Sequence, residues 1–341
     1  MSKRPISVFL DTNDAEWTSQ RYYIDSLQEQ LRQHERVRIV GDITDADVIH
    51  LNYLNPLGRI VHGKEDRRRH LREVCNVVAG VDVPVVVTEH GIEEFSDAGE
   101  SMYIESNPML QKLADATKRQ ISRGFAMRID AIIAISSMDR NYLVNAGFDS
   151  SSIHHVPHGV KEPFLNAPKR ETDNYVLHVS KCSPHKNPGA IIETARRLDV
   201  NLKIAGSGWQ ENHGEELSAI ENVETIGYVS EEELIDLYSS ARAFYFPSTY
   251  EPFGLPILEA MACGTPVVAS INSAAPDICE RSIALVKPDD IDQHVAELTR
   301  LVEDDELRES RAQVAVKSAN AFTWAQTASS TAKIYGQLVS N

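Results

Sequence analysis

Short β-branched runs alternate with longer amphipathic segments along this chain, and the alternation restarts near its middle. Such a pattern builds βαβ units and parallel sheets. In the first half, strands are expected at 6–10, 37–40, 48–52, 83–88, 131–135 and 154–156, with helices at 17–34, 66–79, 108–127 and 138–146. In the second half, strands are expected at 175–179, 202–205, 243–246, 267–269 and 283–286. Helices follow at 291–302, 306–319 and 324–338. Asn187-Pro188 offers a cap followed by proline at the first helical position, and Ser230 to Glu233 reads as a capping box. The polar stretch 161–173, KEPFLNAPKRETD, has no periodicity and reads as a connector. At 341 residues the chain exceeds the size of one growing core. Two doubly wound α/β domains are therefore expected, facing a cleft between their strand ends.

No run of about 18 apolar residues occurs, so no membrane span is expected. The start, MSKRPISVFLDTND, turns acidic after one short strand and does not read as a signal peptide. Cys75, Cys182, Cys263 and Cys279 form no CxxC pair, which fits reduced cytoplasmic thiols. No His/Cys cluster has metal-ligand spacing, so no metal is expected. The net charge of -16 argues against a nucleic-acid partner. That charge is uneven: residues 1–165 hold 19 Lys/Arg against 24 Asp/Glu, and the remainder 15 against 26. Basic stretches at 59–72 (Arg59, Lys64, Arg67, Arg68, Arg69, Arg72) and 118–128 (Lys118, Arg119, Arg123, Arg128) read as solvated helix faces. Peripheral contact with an anionic lipid surface is their alternative reading.

The chemistry concentrates between Pro247 and Ser270, PSTYEPFGLPILEAMACGTPVVAS. Two carboxylates, Glu251 and Glu259, flank a Pro/Gly turn that opens a helix; Pro256 suits the first helical position, which puts Glu259 in the first turn. Backbone N–H groups of Phe253, Gly254 and Leu255, with the positive end of the helix dipole, form a place for a diphosphate. The acids suit hydroxyl groups on either side of it, and a nucleotide sugar has hydroxyls on both sides of its diphosphate.

This segment resembles glycosyltransferase family 4, whose mark is a Glu-x7-Glu motif; EPFGLPILE fits it residue by residue. HVSKCSPHKNPGAIIETARRL, LKIAGSGW and GYVSEEELIDLYSSARAFYFPS are similar to successive elements of that family's donor domain, and FTWAQTASSTAKIYGQL to its closing helix. The resemblance implies the GT-B fold of two Rossmann-like domains: 1–160 on the acceptor side, a linker at 161–173, a nucleotide-sugar domain at 174–321, and a helix at 322–341 crossing back. It implies a retaining transfer from a UDP- or GDP-sugar to a sugar-containing acceptor, with the nucleotide sugar as co-substrate and no other cofactor. Glu259 then binds the ribose and Glu251 the transferred sugar, while Lys186, assisted by Lys181, neutralises the diphosphate. The family usually has Arg at position 181 and Gly at position 180, where this chain has Lys and Ser. Gly206 and Gly208 resemble its Gly-rich turn, and Tyr228 and Val229 the place where its backbone meets the base. His90, in VVVTEHG, stands where the family places a donor-sugar contact; Glu89 is a weaker candidate, and His158 reads as structural. The Gly-rich loop that many members carry after the first strand is replaced by DTNDAEW, where Asp11, Asn13 and Trp17 are candidate acceptor contacts. That departure leaves open a non-catalytic binding or regulatory subunit. A GT-B epimerase or phosphorylase is a further alternative, whereas no GxGxxG follows the first strand to support a dehydrogenase.

Overall fold

The structure is a computed structural model that describes residues 4–12, 18–52, 80, 82–90, 129–145, 147–279 and 281–340. The helices expected at 66–79 and 108–127, both basic stretches, Cys75, Asn13 and Trp17 lie outside the described residues. The chain divides into two compact units, Met1–Pro157 with Trp324–Asn341, and His158–Thr323.

In the first unit, six strands form one parallel sheet: β1 (Ile6–Leu10), β2 (Val37–Val40), β3 (Val48–Asn52), β4 (Val85–Glu89), β5 (Ala131–Ala134) and β6 (Ile153–His155), in the order β2-β1-β3-β4-β5-β6. β3, β4 and β5 are buried at every position, as strands with both faces covered should be, and β3 and β4 carry polar residues only toward their carboxyl ends. Helix α1 (Thr18–Gln33) lays Tyr23, Ile24, Leu27 and Leu31 on one face, and α2 (Ser137–Asn145) follows β5. The final helix of the chain, Trp324–Val339, packs beside α1: Trp324 Nε1 donates to Tyr22 Oη at 3.0 Å. Its Trp324, Ala328, Ala332 and Tyr335 join the same core.

The second unit repeats the plan. β7 (Tyr175–Val179), β8 (Asn201–Ala205), β9 (Val223–Gly227), β10 (Ala243–Phe246), β11 (Val267–Ser270) and β12 (Ile283–Val286) form a parallel sheet ordered β12-β11-β10-β7-β8-β9. Around it run α3 (Glu162–Leu165), α4 (Pro188–Arg197), α5 (Trp209–Ser218), α6 (Glu231–Ser240), α7 (Leu255–Ala262), α8 (Ala275–Cys279), α9 (Ile291–Glu303) and α10 (Asp305–Ala319); Trp324–Val339 is α11. The capping box forms as read, with Ser230 Oγ on Glu233 N and Glu233 on Ser230 N.

Two readings of the sequence need correcting. β9, VETIG, was not anticipated; it is an edge strand whose half-exposed polar positions hide the period of a buried one. Residues 161–173 are not a free connector. The division falls at Pro157/His158, and the segment packs on the second unit. Phe164, on α3, is 2% exposed and meets Tyr238 edge-on at 6.2 Å, while Lys161 pairs with Glu231 at 2.5 Å and Arg170 with Asp236. One buried aromatic, worth about 1.5–3 kcal/mol, outweighs the polar composition around it.

Strand order reverses direction between β7 and β10 in the second sheet and between β1 and β3 in the first. In open α/β sheets, ligands bind outside the carboxyl ends of the strands at such a reversal. The loops after β7 and β10 carry Lys181, Lys186 and Glu251, while Asp11 follows β1 and Asn52 is the last residue of β3.

Candidate functional site

The loop after β7 is shaped by glycine and one strained asparagine. Gly206 has φ of +122°, and a Cβ built there would lie 2.0 Å from the Ser180 carbonyl oxygen. Only glycine lets the loop after β8 close on the loop after β7. The contact is extended by Cys182 N donating to Ser207 O at 2.8 Å and Trp209 Nε1 to Ser180 O at 2.8 Å. Gly208 has φ of +84° and starts α5 beside Cys182.

Lys186 ends a single 3₁₀ turn, Pro184–Lys186, and Asn187 follows with φ of 62°. A left-handed non-glycine residue costs backbone energy that something must offset. The Asn187 amide donates to Pro247 O at 3.1 Å and Pro288 O at 2.7 Å, pinning this loop to the loops after β10 and β12. Asn187 precedes α4, as read, but its side chain does not cap that helix. The Thr249 backbone N–H adds a bond to His185 O at 2.8 Å.

Those ties bring Lys186 to Glu251. Their side chains, 15% and 13% exposed, form an ion pair, and the ammonium also lies 4.9 Å from the Phe246 ring centroid. Glu251 is held from behind, its N–H donating to Asn272 O at 3.0 Å. Gly254 has φ of +85°; a Cβ there would meet Ile257 Cδ1 at 2.9 Å and Glu251 Cγ at 3.2 Å. This glycine lets the turn fold tightly over Glu251 and start α7 at Leu255, with Pro256 second. Phe253 is buried against His158, ring centroids 4.7 Å apart, consistent with a packing role for that histidine.

Glu259 is the fifth residue of α7, so it stands in the second turn and not, as expected, in the first. Tyr238 Oη donates to its Oε2 at 3.3 Å. Burial disfavours the charged carboxyl and pushes it up to about 7, against the pull of Tyr238 and Lys161. Because this lies above the ordinary 4.5, the folded protein holds an extra proton between those values. The group's contribution to stability is therefore full below 4.5 and is lost as pH rises through 7. Glu259→Gln should raise Tm relative to the native protein at pH 8 and lose that advantage at pH 4.5, as read by scanning calorimetry.

The remaining expected residues are placed as follows. Lys181 is exposed on the loop after β7. Tyr228 is 87% exposed just after β9, with Val229 half-buried beside it. In the first unit, His90 follows β4 half-buried, and Glu89 is buried at its end. Asp11 is 7% exposed, and its backbone joins β1 to β3.

Sequence reasoning missed three features. Tyr238 holds Glu259. Asn187 carries the strained turn, for which a non-glycine before Pro188 gave no signal. His178, a lone polar residue in the buried strand YVLHV, donates from Nδ1 to Tyr245 O at 2.8 Å and accepts from Ser180 Oγ at 2.7 Å through Nε2. Burial lowers this imidazole to about 4, with Lys186 adding to the shift. Two Asp-x-Asp triplets were also passed over. Asp47 of Asp45-Ala46-Asp47 accepts from Ser7 N and Arg4, and Asp290 of Asp290-Ile291-Asp292 caps α9. Among the described residues, no group of three metal-type ligands assembles. Nor is any described helix long and apolar enough to cross a membrane.

Two family models cover successive parts of the chain: residues 14–162 match Glycosyltransferase Family 4, and residues 161–318 match Glycosyl transferases group 1. The O-antigen chain mannosyltransferase B of Escherichia coli is 27% identical over 247 residues, 68% of this chain and 61% of that protein. The MMP alpha-(1->4)-mannosyltransferase of Mycolicibacterium hassiacum is 30% identical over 237 residues, 64% of this chain and 57% of that protein. The matches thus span about three fifths of these relatives' length. Among solved structures, sucrose-phosphate synthase from Thermosynechococcus elongatus superposes with a TM-score of 0.73 at 18% identity, covering 99% of this chain and all of that one. HepE of Anabaena, in complex with UDP-glucose, gives 0.69 at 18%, covering 97% and 99%. The fold is that of the GT-B glycosyltransferases, two Rossmann-like parallel-sheet units. Together the two glycosyltransferase family models match residues 14–318, and over that span the chain is similar to glycosyltransferase family 4 and to glycosyl transferases group 1.

Proposed function

We propose that this protein is a retaining glycosyltransferase that moves a sugar from a nucleoside-diphosphate donor to a sugar-containing acceptor. The observation that carries the reading is the meeting of Lys186 and Glu251 at the start of α7, at the reversal of the second sheet. A cation, a carboxylate and a helix N-terminus at one point match the diphosphate and sugar of such a donor. The named mannosyltransferases favour a mannosyl group, and the UDP-glucose complex of HepE supports a nucleotide sugar as donor. No further cofactor enters the reading.

Binding has to part Lys186 from Glu251. The ammonium turns to the diphosphate, and the freed carboxylate accepts from hydroxyls of the transferred sugar. Lys181 adds charge from the open side of the loop, though lysine lacks the bidentate fork of arginine. The N–H groups of Phe253, Gly254 and Leu255 complete the cradle. Glu259 accepts from the ribose hydroxyls, Gly206 and Gly208 keep the phosphate side open, and Tyr228 and Val229 meet the base. Stabilising the charge that develops on the leaving phosphate is electrostatic preorganisation, and covalent catalysis is not required. A leaving-phosphate oxygen takes the acceptor proton on the face it vacates, which retains configuration. His90 keeps its proposed role as a sugar contact.

The raised carboxyl of Glu259 makes this testable by pH. Ribose hydroxyls donate to the carboxylate, so below about 7 binding must first expel a proton. Affinity for UDP or GDP should fall severalfold from pH 8 to pH 6, approaching tenfold per unit below the midpoint. Glu259→Gln should flatten that dependence in isothermal titration. A dependence that survives the substitution assigns it to another group. Release of UDP or GDP from a panel of their sugar conjugates, with mono- and disaccharide acceptors, tests the activity itself. Release from no donor favours the binding-subunit reading.

A further inference from the structure

The face of the first sheet covered by α1 and α11 is apolar toward the start of the strands and polar toward their carboxyl ends. There Tyr335 Oη lies 2.5 Å from His50 Nδ1, and His50 Nε2 lies 2.7 Å from Thr88 Oγ1. Thr88 Oγ1 in turn is 3.1 Å from Tyr23 Oη. These four side chains come from α11, β3, β4 and α1, and each is at most 1% exposed. Burial holds His50 neutral, lowered to about 3, so the chain carries no charge. An apolar filling would satisfy the core at less cost, since every member of a buried polar chain must find its partner.

What the chain reaches is His90. The Tyr23 ring meets the His90 ring edge-on, centroids 4.4 Å apart at 73°. On another side, His90 Nε2 is 3.4 Å from Asn52 Oδ1, and Asn52 Nδ2 donates to Asp11 O at 2.8 Å. That second bond fixes the amide orientation and leaves oxygen facing the imidazole, so Nε2 is the nitrogen that carries the proton. His50 and Asn52 are two positions apart on β3 and share one face of the sheet, and His90 follows the end of β4 two positions after Thr88.

We propose that Tyr335, His50, Thr88 and Tyr23 are positioning residues that set the place of the His90 ring, and that Asn52 sets its tautomer. The last helix of the chain thereby acts on a residue at the carboxyl end of the first sheet. This rests on the proposed role of His90 in transfer.

The test is a double-mutant cycle on the full chain, with nucleoside diphosphate release as readout and the UDP- or GDP-sugar that turns over as donor. Tyr335→Phe should lower kcat about tenfold with donor KM unchanged, the scale of a small misplacement of an acting group. In a His90→Ala background the same change should cost nothing further. An equal loss in both backgrounds, or no loss in the native background, overturns the proposal. If Tyr335→Phe does not fold, or no donor turns over, the imidazole ¹⁵N shifts of His90 decide. Nε2–H alone is expected in the native chain, and a tautomer mixture in Asn52→Ala. A native mixture, or no change in Asn52→Ala, overturns it. Because that arm needs no turnover, its failure is separable from failure of the transferase reading.

Discussion

Lys186→Ala is expected to lower sugar transfer by about 10²–10³-fold, the cost of removing one preorganised group that meets developing charge. The chain would stay folded, with a Tm lower by a few degrees. That loss arises because Lys186 is not a loose surface cation: it is paired with Glu251 at 15% and 13% exposure. Removing it leaves a largely covered carboxylate without its partner, a penalty that solvent reaching the pair keeps modest. Lys186→Arg should recover part of the rate, since charge returns but the single turn Pro184–Lys186 has to admit a longer head. Steady-state assays alongside circular dichroism separate the two effects. A Lys186→Ala protein with native rates removes Lys186 from the mechanism.

The second large effect is structural. Gly206→Ala puts a methyl group 2.0 Å from the Ser180 carbonyl oxygen, at a φ of +122° that side chains rarely adopt. Backbone meets backbone there, so no flexible side chain can yield. The substitution should destabilise the second unit by about 3 kcal/mol or more, lowering Tm by roughly 10 °C. Gly208→Ala is the milder control: its nearest neighbours are Cys182 Cβ at 3.3 Å and Asn212 Nδ2 at 3.5 Å. Chemical denaturation of both variants reads the contrast. Equal stability in the two would mean that the loops after β7 and β8 close differently from the geometry described.

Much of this was legible in the residues because the governing physics is local. Buried strands such as AFYF and VVVTE announce themselves by apolar run and length, and Ser230 with Glu233 announces a helix start. Gly254 before Leu255-Pro256 likewise marks the start of α7. Other features depend on what lies across the fold. Phe164 looks like one apolar residue in a polar connector until Tyr238 is seen beneath it. The register of Glu259 differs by one residue from the reading with Pro256 first, because the helix starts at Leu255. Pairing of Lys186 with Glu251 could not be read at all, since it depends on Asn187 adopting a left-handed turn and reaching carbonyls at Pro247 and Pro288. The polar chain from Tyr335 to Tyr23 joins residues from four elements, and nothing in the local pattern around His50 indicates it.

Isothermal titration of UDP and of GDP into the native chain and into Lys186→Ala, at pH 8, tests the claim that a pyrophosphate sits beside Lys186 at the start of α7. One of the two nucleotides should bind the native chain and lose about tenfold or more in affinity in the variant. Binding of neither nucleotide, or equal binding to both proteins, would contradict it.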